Sequence, residues 1–251
     1  MASQVVSPQW QNQIQSLQDR GFCLIKNALS AEEIDSAKLR VQQILESDAQ
    51  GVLSSRGVGY GIRNLLHHWP SVNEWLPPET RAFAKHLLGP SAGLVRGLIF
   101  DKPPGRAWTL PWHRDRTIAL EKPVPTSTTF LNATSKAGVP HVTAPVSLLS
   151  GMLTLRFSLD AMTEENGPLV VLPGSHHCEA TDEDLGPSIA EEEIETIYCQ
   201  AGDLFVMRPL LAHSSKNSHA ATTLHRRVLH LELASIPELV DGAVWNDFIA
   251  L

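Results

Sequence analysis

The stretch from Leu224 to Ala234 constrains the fold more tightly than any other, because it alternates along its length. Arg226, Val228, His230 and Glu232 fall on one side of an extended strand, and Arg227, Leu229, Leu231 and Leu233 on the other. Successive strand residues point to opposite faces, so the leucines need a covering layer and the polar face needs a cavity. Met152 to Asp160 repeats the pattern, with Leu153, Leu155, Phe157 and Leu159 opposite Thr154, Arg156 and Ser158. Two such strands require a sheet that packs helices on one face and keeps polar groups on the other.

The helices come first in the chain. Trp10, Ile14 and Leu17 recur at helical spacing between Pro8 and Asp19, and Gly21 ends that segment before a short strand, Phe22 to Lys26. Ser30 and Glu33 have the spacing of a capping box, with Ile34, Ala37, Val41, Ile44 and Leu45 continuing the helix. Residues 51–61 are rich in glycine and serine and read as a loop. Residues 62–89 read as helix broken at Pro70 and Pro77-Pro78. From Leu94 onward strands and turns dominate. Residues 121–145, rich in Pro, Thr, Ser and Ala, read as a long loop that sets selectivity. Asn166-Gly167 and Gly202-Asp203 each read as a hairpin turn, and residues 181–195 as an acidic, solvated segment. Helices followed by many short strands predict a β-sandwich or barrel with helices on one side.

The charge and cysteine content exclude several classes. The net charge of −7 gives no basic face for nucleic acid. The three cysteines, Cys23, Cys178 and Cys199, form no CxxC, so neither a disulfide framework nor a thiolate zinc site is expected. Met1-Ala-Ser-Gln opens no secretory signal, and no run approaches the roughly 18 apolar residues of a membrane span. The expected location is cytoplasmic. Oligomeric state is not legible.

Trp112-His113-Arg114-Asp115 carries the chemistry. On a strand, His113 and Asp115 offer an imidazole and a carboxylate to one point. These are two of the three ligands of a two-histidine, one-carboxylate site, which leaves open positions on non-haem Fe(II). The third ligand must come from a distant strand, and His213 is the candidate. Arg226 beyond it is a candidate anchor for an acidic cosubstrate.

In order and context, Asp19-x-Gly-Phe, His113-x-Asp115, Asn166-Gly-Pro-Leu-Val-Val-Leu-Pro-Gly-Ser-His176, Gly202-Asp203, His213 and Arg226 resemble the phytanoyl-CoA dioxygenase-like family. The resemblance runs from about Gln13 to Glu232, and the Asn-Gly-Pro-Leu…Pro-Gly-Ser-His run is its most specific part. It implies a mainly β, cupin-like jelly roll (a double-stranded β-helix) with flanking helices. One domain would span 1–251, with a helical part at about 8–90 and a jelly-roll core at about 94–235. The implied activity is that of an Fe(II)- and 2-oxoglutarate-dependent dioxygenase that uses O2 to hydroxylate a small organic substrate. The implied ligands are His113, Asp115 and His213. Arg226 would hold the far carboxylate of 2-oxoglutarate, which favours a permanently charged, two-pronged donor. Ser215 matches a family position on the same carboxylate, and Arg63 falls near a basic one that also reaches the cosubstrate. Alternation selects Arg226 over Arg227, since Arg226 shares the face of His230 and Glu232.

Arg156, Trp112 and His141 are candidate substrate contacts: a charge on the cavity face, an aromatic beside a ligand, and a histidine in the selectivity loop. His176 and His177 read as parts of a structural turn. Two other classes share features of this reading. A non-catalytic jelly-roll protein could bind a metal or small ligand without needing Arg226. A metal-dependent hydrolase or isomerase would use water in place of 2-oxoglutarate. The presence of Asp115 argues against halogenation, for which the family replaces the carboxylate ligand by a small residue.

Overall fold

The computed structural model describes residues 10–47, 49–55, 57–105, 108–178 and 189–251. Helix α1 (Gln11–Asp19) leads into strand β1 (Phe22–Ile25), and α2 (Ala31–Leu45) follows. The capping box forms as expected: Ser30 Oγ accepts the Glu33 N–H at 3.2 Å, and the Glu33 carboxylate accepts the Ser30 N–H at 2.7 Å. Residues 62–89 carry three helices interrupted near the prolines: α3 (Leu65–His68), α4 (Val72–Trp75) and α5 (Pro78–Leu88).

The remaining elements build three antiparallel sheets. Strands β2 (Val52–Ser55), β3 (Val58–Ile62), β4 (Gly93–Lys102), β9 (Met152–Ser158), β12 (Leu204–Met207) and β14 (Arg226–Ala234) join β1 in the largest. Its order is β1-β12-β9-β14-β4-β3-β2, and β15 (Ile249–Ala250) pairs with the start of β4. Facing it is a second sheet of β5 (Leu110–His113), β10 (Leu169–Val171), β11 (Glu195–Ile197) and β13 (His213–Ser215), in the order β11-β10-β13-β5. The third contains β6 (Thr117–Ala119), β7 (Leu131–Lys136) and β8 (Val139–Thr143), with β8 in the middle. The chain is mainly β, a jelly roll with helices on one face. Among the described residues no helix is long and apolar enough to cross a membrane.

The alternation decides the layers. Leu153, Leu155, Phe157, Leu229, Leu231 and Leu233 are buried in one cluster with Ala37 and Val41 of α2 and Phe83 and Ala84 of α5. The opposite face of β14 is buried too, but it carries Arg226, His230 and Glu232.

Several expectations need correction. Residues 51–61 form the β2–β3 hairpin, not a loop; its strands are half-exposed, so no apolar alternation marked them. Residues 121–145 contain the whole of β7 and β8. Five of the six residues of β7 are exposed, which removes the burial pattern a strand reading relies on. Asn166-Gly167 and Gly202-Asp203 do not close hairpins: β9 and β12 lie in the large sheet, whereas β10 and β11 lie in the second. Both turns carry the chain across the sandwich. Of the acidic segment 181–195, residues 181–188 lie outside the described residues.

His141 pairs opposite Ala119 within the third sheet and is buried, its Nδ1 3.0 Å from the Val139 carbonyl. Burial pushes its pKa down from 6.5 to about 4. On unfolding it therefore takes up a proton that the fold refuses across this interval. The stability it contributes is complete above pH 6.5 and is lost as pH falls towards 4. Replacing His141 by Gln should flatten that loss by on the order of 2–3 kcal/mol, read from urea unfolding at the two ends of the interval. In the leucine layer, Leu231→Ala should cost about 2–5 kcal/mol in the same measurement, because the side chain is wholly buried.

Candidate metal centre

Strands β5 and β13 pair so that His113 lies opposite His213, while Ser215 lies opposite Leu110. Two steps on β13 thus match three on β5. This bulge lets both Leu110 and His113 face the interior. Just past β5, the Asp115 N–H donates to the Pro209 carbonyl at 2.9 Å, which turns the carboxylate back towards both rings. His113 Nε2 lies 3.8 Å from Asp115 Oδ1, and His213 Nε2 lies 3.8 Å from Asp115 Oδ2. The three ligand-type atoms fall within 4.8 Å of one another. These separations are too long for hydrogen bonds but suit atoms sharing an ion bonded to each at about 2.1 Å.

Backbone carbonyls set the tautomers. Nδ1 of His113 faces the Pro111 carbonyl at 2.8 Å, and Nδ1 of His213 faces that of Leu211 at 2.9 Å. With the proton held on Nδ1, each Nε2 lone pair points at the shared point. Burial pushes His213 down to about 3, against the pull of Asp115, so its ring is neutral at ordinary pH. Burial alone would raise Asp115. The His213, His230 and His113 rings and the Arg156 guanidinium outweigh it and hold the carboxylate at about 2. Asp115 Oδ2 is a buried oxygen with no hydrogen-bond donor among the described residues. A carboxylate with an unsatisfied oxygen, faced by two imidazole lone pairs, is the donor set a divalent cation completes, so the residues fit the ion.

The signature residues around the triad act as clamps. Buried Arg114 donates from Nε to the Leu210 carbonyl at 3.0 Å, tying the His-x-Asp segment to the approach to His213. Ser175 Oγ accepts the Ala212 N–H at 2.8 Å. The Pro-Gly-Ser-His turn in turn rests on the N-terminal Asp-x-Gly-Phe segment. His176 and His177 both bond the Gln18 carbonyl, and a Cβ on Gly21 would lie 2.5 Å from the His176 ring. Gly21 has φ +83°, so both space and backbone require glycine there. Two motifs 150 residues apart are one contact.

Arg226 is fully buried, 1% exposed, at one end of a cavity of about 520 Å3 that the triad also lines. Its Nη1 donates to the Gly167 carbonyl at 2.7 Å and to Ser215 Oγ at 3.3 Å, while Nε has no partner among the described residues. Burial, and then the charge of Arg156, push it down to about 9, so it stays cationic at neutral pH. Its neighbour Arg227 points to the other face and is clamped by Asp160 through two bonds of 2.7 and 2.8 Å.

Lys102, opposite Arg226 on β4, escaped the sequence reading. It is fully buried, and Nζ donates to Ser215 Oγ at 2.8 Å and to the Lys216 carbonyl at 2.5 Å. Burial and the adjacent Arg226 push it down to about 7. Its only sequence signal is that it shares the strand parity of Arg96, Leu98 and Phe100, and a lysine ending an apolar run reads as surface. Ser215 Oγ accepts from both cations, which leaves its own hydrogen to donate. Gly167 permits this arrangement, since a Cβ there would lie 2.4 Å from the Lys216 carbonyl.

The large sheet's polar face continues from this end as a hydrogen-bonded series. Buried Arg156 Nη1 donates to His230 Nδ1 at 3.0 Å, His230 Nε2 lies 3.3 Å from Glu232 Oε1, and Arg96 Nη1 donates to the same oxygen at 3.0 Å. Arg156 and Arg63 line the cavity, as do Arg96 and Lys136, which the sequence reading passed over. Trp112 and His141 do not line it. Trp108 supplies the aromatic wall, with its ring centroid 4.5 Å from Lys102 Nζ. Trp108 lies in the irregular stretch before β5, where no alternation could have selected it.

The comparisons agree with this architecture. A structure of EctD from S. alaskensis with 2-oxoglutarate and 5-hydroxyectoine matches 93% of this chain and 78% of its own, at 18% identity and TM-score 0.69. AviO1 from Streptomyces viridochromogenes Tue57 matches over 89% and 93%, at 20% identity and TM-score 0.61. The epimerase SnoN, in complex with Fe3+, alpha ketoglutarate and nogalamycin RO, matches over 90% and 83%, at 14% identity and TM-score 0.63. No curated protein sequence matches the chain significantly. At these identities the structural matches speak for the fold. The family model described as phytanoyl-CoA dioxygenase (PhyH) matches residues 17–228, and the chain belongs to that family of iron- and 2-oxoglutarate-dependent oxygenases.

Proposed function

We propose that the chain is a hydroxylase of a small organic substrate, that residues 1–251 act as one catalytic domain, and that His113, Asp115 and His213 are its iron ligands. The observation that carries this is the Asp115 carboxylate, whose two oxygens each face an Nε2 at 3.8 Å while buried Oδ2 has no donor among the described residues. A jelly-roll protein without a metal would leave that oxygen's desolvation uncompensated. Ferrous iron with 2-oxoglutarate and O2 supplies the oxidising power for C–H cleavage, with succinate and CO2 as the coproducts.

The chain's own residues do the rest. The triad fixes the ion to one wall of the cavity and leaves the opposite wall to ligands. Arg226 and the Ser215 hydroxyl receive the far carboxylate of 2-oxoglutarate. Lys102 adds charge behind them and orients Ser215 through the 2.8 Å bond. A binding end with two buried cations and no facing carboxylate favours a dianionic cosubstrate over water, which separates this reading from a hydrolase. Arg156 reaches the space beside Asp115, held by His230 from behind.

Asp115→Ala should abolish substrate-stimulated succinate release and weaken Fe(II) binding, with circular dichroism unchanged. Turnover retained in that variant removes the ligand assignment. Arg226→Ala should weaken 2-oxoglutarate binding roughly 10–100-fold, the loss of a charge-assisted pair. Arg227→Ala should leave that affinity within about threefold and instead lower the unfolding midpoint, because its partner is Asp160.

A further inference from the structure

The same sheet face that ends in Arg226 and Lys102 carries a second group of cations at its far end. The register fixes the rows. Lys102 pairs with Arg226, Phe100 with Val228, Leu98 with His230, and Arg96 with Glu232. Arg96 is therefore six residues from Lys102, about 20 Å along the strand. The triad faces the interval between them, since Arg156 and His230 of the middle row both act on Asp115. The cavity thus has two cationic ends with the metal position between them.

Three cations meet at the far end. Arg63 follows directly on β3, which pairs with β4 through Ile62 and Ile99. Lys136 ends β7, and the turn after it docks onto Arg63's neighbour: Asn64 Nδ2 donates to the Ala137 carbonyl at 3.3 Å, and Gln50 Nε2 to the same oxygen at 3.3 Å. Arg96 is answered by Glu232 at 3.0 Å. Among the described residues Lys136 makes one side-chain hydrogen bond, to the Thr117 hydroxyl at 3.1 Å. Arg63 has no side-chain hydrogen bond or ion pair among the described residues, although it is half-buried and lines the cavity. Burial and the charge of Arg96 depress Arg63 against a smaller pull from Tyr60, and burial with Arg96 and Arg63 depresses Lys136 against the attraction of Glu232 and Asp115, so the carboxylates offset the repulsion only in part. Mutual repulsion among partly desolvated cations, in a chain of net charge −7, is relieved by an anion entering from the cavity.

Building on the proposed function, we infer that Arg63 and Lys136 form the recognition site for an anionic headgroup of the substrate, a carboxylate or a phosphate. A compact organic anion docked there extends towards the triad from the side opposite 2-oxoglutarate, which brings its chain past Arg156 to the metal position. On this assignment Arg63 serves the substrate and not the cosubstrate.

The test uses the protein loaded with Fe(II) and 2-oxoglutarate without oxygen, with inorganic sulfate as the probe, read by calorimetry. One saturable sulfate site is expected, weakening as sodium chloride is raised. Arg63→Gln and Lys136→Gln should each weaken it about tenfold or more, while 2-oxoglutarate affinity stays within about twofold. Equal sulfate binding in wild type and variants, an adventitious ion only, overturns the proposal, as does the absence of a saturable site. A tenfold loss of 2-oxoglutarate affinity in Arg63→Gln also overturns it, by returning Arg63 to the cosubstrate. Failure of the wild type to bind 2-oxoglutarate at all strikes the proposed function instead. In a second arm, carboxylates, phosphate esters and their neutral amides or methyl esters are scored for succinate release. Charged members should be the active ones, and the ratio of carboxylate to phosphate hits identifies the headgroup. A neutral compound turned over equally by wild type and Arg63→Gln overturns the assignment.

Discussion

Strand β14 is buried on both faces, and only one of them is apolar. The leucine face is satisfied by α2 and α5 through ordinary burial. The other face encloses Arg226, His230 and Glu232, which cannot be left dry and unpaired. Everything on that side of the sheet answers this constraint. His230 is partnered by Arg156 of β9 and Glu232 by Arg96 of β4, while Arg226 is aimed into the cavity. The cavity therefore follows from the sheet's own sequence. A second sheet packed tightly against these side chains would have to bury them without solvent or ligand.

The second sheet resolves the constraint by standing off and presenting the triad. Its strands are short, with three residues each in β10, β11 and β13. Their placement depends on contacts from outside the sheet: Arg114 on the Leu210 carbonyl, Ser175 on the Ala212 amide, and Gly21 against His176. The most recognisable segments of the sequence are thus joints and not ligands. Asp-x-Gly-Phe and Pro-Gly-Ser-His hold the wall, Asn-Gly-Pro holds the buried cations, and only His-x-Asp and the distal histidine face the metal position.

How much of this could be read from the chain depends on whether a residue's environment repeats along its own strand. The faces of β9 and β14 were legible because burial alternates there, and the same parity told which of Arg226 and Arg227 enters the cavity. The capping box at Ser30 was legible because its geometry is local. The β7–β8 hairpin was not, since exposed strands carry no hydrophobic period, and the same holds for β2 and β3. The two turns misread as hairpins have correct turn chemistry, but a turn's residues do not say whether the next strand stays in the same sheet. At the site, Lys102 and Lys136 stayed hidden because their roles arise from segments distant in the chain, and Trp108 because it lies in an irregular stretch with no alternation. Lys102 needs Ser215 and Gly167 to be recognised as buried, and Lys136 needs the docking of its turn on Asn64.

The distribution of charge along the polar face gives the cavity a direction. At the Arg226 end both cations are fully buried and held by carbonyls and Ser215, so their positions are set before any anion arrives. At the Arg63 end Arg96 is tied to Glu232, whereas the partly buried Arg63 and Lys136 have fewer direct partners among the described residues. Desolvated, fixed charges discriminate strongly among anions, because a poorly fitting partner leaves them unpaired in a low dielectric. Long, partly solvated side chains with fewer fixed partners attract anions more broadly. On the proposed function, the Arg226 end would take the invariant cosubstrate and the Arg63 end the variable substrate. The Arg226 end lies on the core strands β4 and β14, whereas Arg63 and Lys136 at the other end are supplied from beside the β2–β3 and β7–β8 hairpins, of which β3 is anchored in the leucine layer through Ile62.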